Sequence, residues 1–118
     1  MQMQMLNLIY ASILVLLLDI PWLIYQGTSS QRMVSSIQGT PLRFRTWAAI
    51  PVYIALGYLL LQQTSAIGAA MSGVSVYAVY EFTNLAIFDK YPLSFVIQDT
   101  VWGGVLFYLA YILKGMLF

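Results

Sequence analysis

The stretch Tyr77–Gly104, YAVYEFTNLAIFDKYPLSFVIQDTVWGG, decides how the rest of the chain is read. It sets Glu81 and Asn84 near the end of one apolar run and Asp99 and Trp102 near the start of the next. The tight charged turn Asp89-Lys90-Tyr91-Pro92 joins the two runs. Carboxylates in segments this apolar are costly in a bilayer, so each needs a partner or a task.

Composition agrees. Of 118 residues, 61% are apolar and only 8% are charged, against about 25% charged in soluble chains. A spanning helix takes about 20 apolar residues, so the length allows four spans with short connections. The net charge of +1 and the lack of a basic run argue against nucleic acid as a partner. The chain has no cysteine and no histidine. Disulfides, thiolate chemistry and the usual general base are therefore excluded. Chemistry would rest on carboxylates, hydroxyls, Asn and Arg. No cofactor is expected and the metal question stays open; lipid contacts are expected.

Working outward, the expected fold is all-α: a polytopic integral membrane protein forming a four-helix transmembrane bundle in one domain. The first span covers about residues 5–26. No Lys or Arg precedes it and no small-residue cleavage site follows, which weakens the signal-peptide reading. Within it Ser12, Asp19 and Trp22 share a face. Pro21 is expected to kink the helix and free the Leu17 carbonyl, or simply to bend it for packing. Residues 27–46 are the one long polar stretch, holding Arg32, Arg43 and Arg45. There Met33, Val34 and Ile37 fall at helical spacing, which predicts a short helix lying along the interface.

The second span, about 44–61, has no ionisable group after Arg45 and reads as scaffold. The third, about 66–88, opens with Gly68, Ala69, Ala70, Ser72 and Gly73, a small-residue seam for close helix contact. It continues with Tyr77, Glu81, Asn84 and Phe88 on one stripe. The fourth span, about 93–117, carries Asp99, Trp102 and Gly103 on one stripe and Lys114 near its far end.

Four spans place the Arg-rich connection and the Asp89–Lys90 turn on one side. The positive-inside bias makes that side cytoplasmic and puts both termini outside or in a lumen. Counting from the span ends at 1.5 Å per residue sets Asp19, Glu81 and Asp99 each roughly 9–10 Å below the cytoplasmic surface. Facing lipid they would cost several kcal/mol together, so they are expected to face inward at one level. Arg43 and Arg45 could dip inward as partners, and Tyr77, Tyr80, Thr83 and Asn84 could add hydrogen bonds.

Asp19-x-x-Trp22 and Asp99-x-x-Trp102 repeat one spacing on helices that run in opposite directions. Each tryptophan can shield the acid on its own helix, or its indole N–H can bond a carboxylate on another. The bland alternative for Trp22 is an interfacial belt residue.

Together, Asp19-x-x-Trp22, Gly68-Ala69-x-x-x-Gly73, Tyr77-Ala78-x-Tyr80-Glu81-x-Thr83-Asn84-Leu85-Ala86, Tyr91-Pro92-Leu93 and Asp99-x-x-Trp102-Gly103 resemble a family of small membrane proteins of about four spans. That family is named only as a domain of unknown function. The resemblance covers nearly the whole chain and implies the four-helix membrane fold. It also implies a special status for Asp19, Trp22, Glu81, Asn84, Asp99 and Trp102. Family members more often carry Asp where this chain has Glu81, and the resemblance brings no activity with it.

Three functions are then open. The acid layer could bind or carry a proton, a cation or a small polar solute, with a homo-oligomer or a larger complex completing the conduit. The acids could instead pair with Arg43 and Arg45 in a structural or accessory subunit. Or carboxylates could hold a divalent metal that acts on a lipid headgroup. The missing histidine and the missing nucleophile elbow weigh against the enzyme. The lack of a Thr-Val-Gly-Tyr-Gly filter weighs against a potassium channel.

Overall fold

The computed structural model describes residues 2–118, and among them the chain forms four α-helices. They are α1 (Gln2–Gln38), α2 (Thr46–Leu61), α3 (Ala66–Ile87) and α4 (Leu93–Leu117). Met1 lies outside the described residues.

The separate interfacial helix expected after the first span does not form. Residues 27–38 continue α1 as one helix of 37 residues. The polar stretch holds no breaker stronger than Gly27, and one interior glycine costs only about 1 kcal/mol against alanine. Met33, Val34 and Ile37 form a half-buried stripe on this extension. The helix also runs through Pro21. It ends at Gly39, whose φ of +76° is the left-handed conformation that glycine adopts without steric cost. The Gly39 N–H bonds the Ser35 carbonyl at 2.9 Å.

The remaining ends are tied locally. At the α2–α3 connection the Gln63 amide donates to the Leu59 carbonyl at 2.9 Å, and its oxygen accepts from Ser72 at 3.1 Å. Ser65 caps α3 by accepting the Gly68 N–H. At the α3–α4 connection Lys90 takes a positive φ of 63°, and Tyr91 beside it is buried. Pro92 then leads into α4.

The helices pair as two hairpins, α1 on α2 and α3 on α4, and the hairpins meet chiefly where α1 packs against α4. Glycine permits each close crossing. A Cβ on Gly57 of α2 would stand 2.8 Å from Cα of Ser12 on α1. One on Gly73 of α3 would stand 2.1 Å from the Gly103 carbonyl oxygen of α4. Ala69 and Gly73, one turn apart, are both buried, so the small-residue stripe of α3 is a packing seam.

The apolar core lies toward the α2–α3 connection: Ala11 and Val15 of α1, Leu56 and Leu60 of α2, Ala69 of α3, and Leu106, Phe107 and Ala110 of α4. Toward the other end the interior turns polar, with Asp19, Gln26 and Glu81 buried. The outside is the reverse. Leu17, Ile24, Ile50, Val79, Val101 and many other large apolar residues are exposed. In a water-soluble protein a surface this apolar is an aggregation hazard; in lipid it is the solvated face. By length and apolarity α1 from Met3 onward and α4 are each sufficient to cross a membrane.

Candidate functional site

The site grows out of the antiparallel register of α1 and α4. Each D-x-x-W segment puts its acid and its indole on one face, one turn apart. When the helices run in opposite directions, each acid comes level with the other helix's tryptophan. The Trp22 indole N–H donates to Asp99 Oδ1 at 2.9 Å. The Trp102 indole N–H donates to Asp19 Oδ1 at 2.7 Å. The two rings stack between these bonds, with centroids 5.1 Å apart and planes 9° from parallel. Further toward the loops, Gln26 donates to Gln98 at 3.0 Å. The result is a reciprocal clasp joining the two hairpins.

Tyr53 of α2 completes the Asp19 end, its hydroxyl donating to Asp19 Oδ2 at 2.5 Å. Asp19 is only 4% exposed, yet both its oxygens are bonded. Donors on a buried carboxylate offset part of its desolvation cost.

Glu81 is placed differently. It is fully buried, at 0% exposure. Its Oε1 accepts the Tyr91 hydroxyl, and its Oε2 has no partner. Across the helix crossing the acid in register with Glu81 is Asp99 of α4. The register follows from the crossing: Tyr77 sits over Gly103, and one turn further along each helix come Glu81 and Asp99. Asn84 donates to the Tyr91 hydroxyl at 3.3 Å, which holds that hydroxyl toward Glu81. Burial, then the bond to Glu81, pushes the Tyr91 phenol up from its ordinary range, so it remains a donor.

The polar groups thus form a line across the bundle: Tyr53, Asp19 and Trp102, then Trp22, Asp99, Glu81, Tyr91 and Asn84. The acids do not share one level. Asp19 lies level with Trp102 while Asp99 lies level with Trp22, an offset of three residues, or about 4.5 Å along the axis. Among the described residues no group of three acidic side chains is placed to hold a metal ion.

Several residues named from the sequence stand elsewhere. Arg43 and Arg45 are exposed on the α1–α2 connection, and the bonding partners of Asp19 and Asp99 are a tyrosine and two tryptophans instead. An arginine tethered in an exposed connection reaches water more cheaply than the bundle interior. Thr83 is exposed, as is Tyr80 at 61%. Tyr77 packs on Gly103. Conversely, Tyr53 and Tyr91 bind the acids although one reads as scaffold aromatic and the other as a turn residue.

A bundle that buries carboxylates and presents leucine, isoleucine and valine to its surroundings has the inverted polarity of a membrane protein. The chain belongs to the family described as "Predicted membrane protein (DUF2177)", whose profile matches residues 4–117. No curated protein and no solved structure matches it.

Proposed function

We propose that this is a four-span integral membrane protein that binds a proton or a small cation at the Glu81–Asp99 pair and passes it across the bilayer. The single observation behind the reading is Glu81: fully buried, in register with a second acid, with one oxygen unpartnered. Ionisable groups kept inside a membrane, facing away from lipid, typically mark ion and proton paths. In this reading the Asp–Trp clasp is the frame and Glu81 the working group. The Arg-rich connection faces the cytoplasm, both termini face the opposite side, and a second copy or a larger complex widens the thin conduit.

The test is flux. Purified protein in liposomes loaded with a pH-sensitive dye is expected to relax an imposed proton gradient, and Glu81→Gln to abolish this while unfolding at a similar temperature. Equal relaxation by wild type, Glu81→Gln and empty liposomes contradicts the proposal.

A second reading draws on the clasp itself. Asp19 is fully engaged by Tyr53 and Trp102, as in a network that fixes helix register without chemistry. The protein would then serve as an accessory subunit. Gentle purification from its native membrane, yielding a stoichiometric partner, would favour this reading over transport.

A further inference from the structure

We infer that the open groove between α1 and α4 seats one acyl chain of an anionic phospholipid, and that Arg32 binds its phosphate at the loop side. The inference concerns the outer face of the clasp and is independent of the reading of Glu81.

The groove has a volume of about 440 Å³. Trp22 and Trp102 form its floor, and Tyr25, Ile97 and Val101 its sides. The indole N–H groups are spent inward on Asp99 and Asp19, and both rings are only half-buried. The clasp thus turns a stacked, apolar ring surface outward, where lipid lies. Ile97 and Val101 stand on successive turns of α4, so the groove runs along the helices, as a lipid chain does.

At the loop end the lining turns polar. Gln98 lines the groove there and accepts a bond from Gln26 of α1. Along α1, Trp22, Tyr25, Ser29 and Arg32 recur at steps of three and four and share one face. Because α1 stays helical to Gln38, Arg32 stands about 10 Å beyond Tyr25 on that face. Side chains on a helix lean toward its N-terminus, which aims Arg32 back at the mouth of the groove. Arg32 is exposed, and residues 28–36 contain no acid to neutralise it. A guanidinium matches a phosphate through two parallel hydrogen bonds. Basic groups at clefts between membrane helices are a recurring form of anionic-headgroup site.

A second copy of the chain fits this groove less well. A stable protein interface uses about 20–30 residues a side, whereas seven side chains line the groove. Charge points the same way. The exposed loop side carries Arg32, Arg43, Arg45 and Lys90 against Asp89, an excess that attracts anionic headgroups and repels a like surface.

Brominated lipids test this, because bromine quenches a tryptophan that it touches. The chain has three tryptophans. Trp47 is exposed at 70%, and Trp47→Phe leaves only Trp22 and Trp102, both in the groove. This variant is placed in phosphatidylcholine vesicles containing a small, equal share of brominated phosphatidylglycerol or brominated phosphatidylcholine. Phosphatidylglycerol is expected to reach the two indoles with about fivefold higher affinity, the preference that one basic residue gives. Adding Arg32→Gln is expected to remove the preference, and Arg32→Lys, which keeps the charge, to retain most of it. Val101→Phe narrows the groove and is expected to weaken quenching by both lipids.

Equal quenching by the two lipids overturns the proposal, leaving ordinary boundary lipid. Quenching by neither means that protein covers the groove, as in a dimer, and also overturns it. A preference that survives Arg32→Gln overturns the placement of the phosphate. Unchanged quenching in Val101→Phe overturns the seat of the chain.

Discussion

Asp19 and Asp99 exchange tryptophans: each binds the indole that stands three residues from the other acid, at 2.7 and 2.9 Å. Because the two segments lie on different hairpins, the exchange converts a local spacing into a tertiary lock. The indole needs only an acceptor, so charge is not essential to it. Asp19→Asn and Asp99→Asn, which keep an oxygen in place, are expected to lower stability by less than about 1 kcal/mol. Asp19→Leu and Asp99→Leu leave an indole N–H unpaired and are expected to cost about 1–3 kcal/mol. Thermal unfolding in detergent distinguishes the two sets.

Tyr53→Phe removes one of the two donors on Asp19 and leaves the ring. It is expected to cost about 1–2 kcal/mol, near the upper end of interhelical bonds measured in membranes. If unfolding is unchanged, Tyr53 is a packing residue only.

The glycine crossings should be intolerant to the addition of a single carbon. A Cβ at Gly73 would fall 2.1 Å from the Gly103 carbonyl oxygen, which is backbone and cannot swing aside. Gly73→Ala is therefore expected to cost 3 kcal/mol or more, at or beyond the usual overpacking range of about 1–3 kcal/mol. Gly27→Ala, with nothing within 4 Å, is expected to be neutral or to stabilise by up to about 1 kcal/mol through helix propensity. Denaturation of the two variants side by side checks both.

Lys90 occupies a left-handed conformation at φ 63°, unfavourable for a residue with a Cβ by about 1–2 kcal/mol. Lys90→Gly is expected to leave stability unchanged or raise it slightly, the relief of strain being partly offset by a freer unfolded chain. A marked loss would mean that the Lys90 side chain itself holds the turn.

Much of this architecture is legible in the sequence because membrane segments announce themselves. Long apolar runs, the Asp89–Pro92 turn between two of them, and acids that cannot face lipid narrow the fold to inward-facing carboxylates on α1, α3 and α4. The reach of α1 to Gln38 is not legible, because Ser, Thr and Gln suit a loop and a solvated helix equally well. Nor is the difference in level between Asp19 and Asp99. It follows from an antiparallel register, which counting from span ends resolves only to about one turn. Tyr53 and Tyr91 escaped for a simpler reason. Tyrosine is common in membrane helices and turns, and only the fold reveals which hydroxyl meets an acid. Arg43 and Arg45 attract notice by charge, yet their exposed connection keeps them from the acids.

The most direct test of the central claim, that the hairpins are locked by the exchanged tryptophans, is a double-mutant cycle. The unfolding free energies of wild type, Trp22→Phe, Asp99→Leu and the double variant are compared in one detergent. Residues bonded as Trp22 and Asp99 are here should show a coupling of about 1 kcal/mol or more, the double variant losing less than the two single losses together. Additivity within about 0.3–0.5 kcal/mol would mean that the two side chains do not act on one another, and would contradict the clasp.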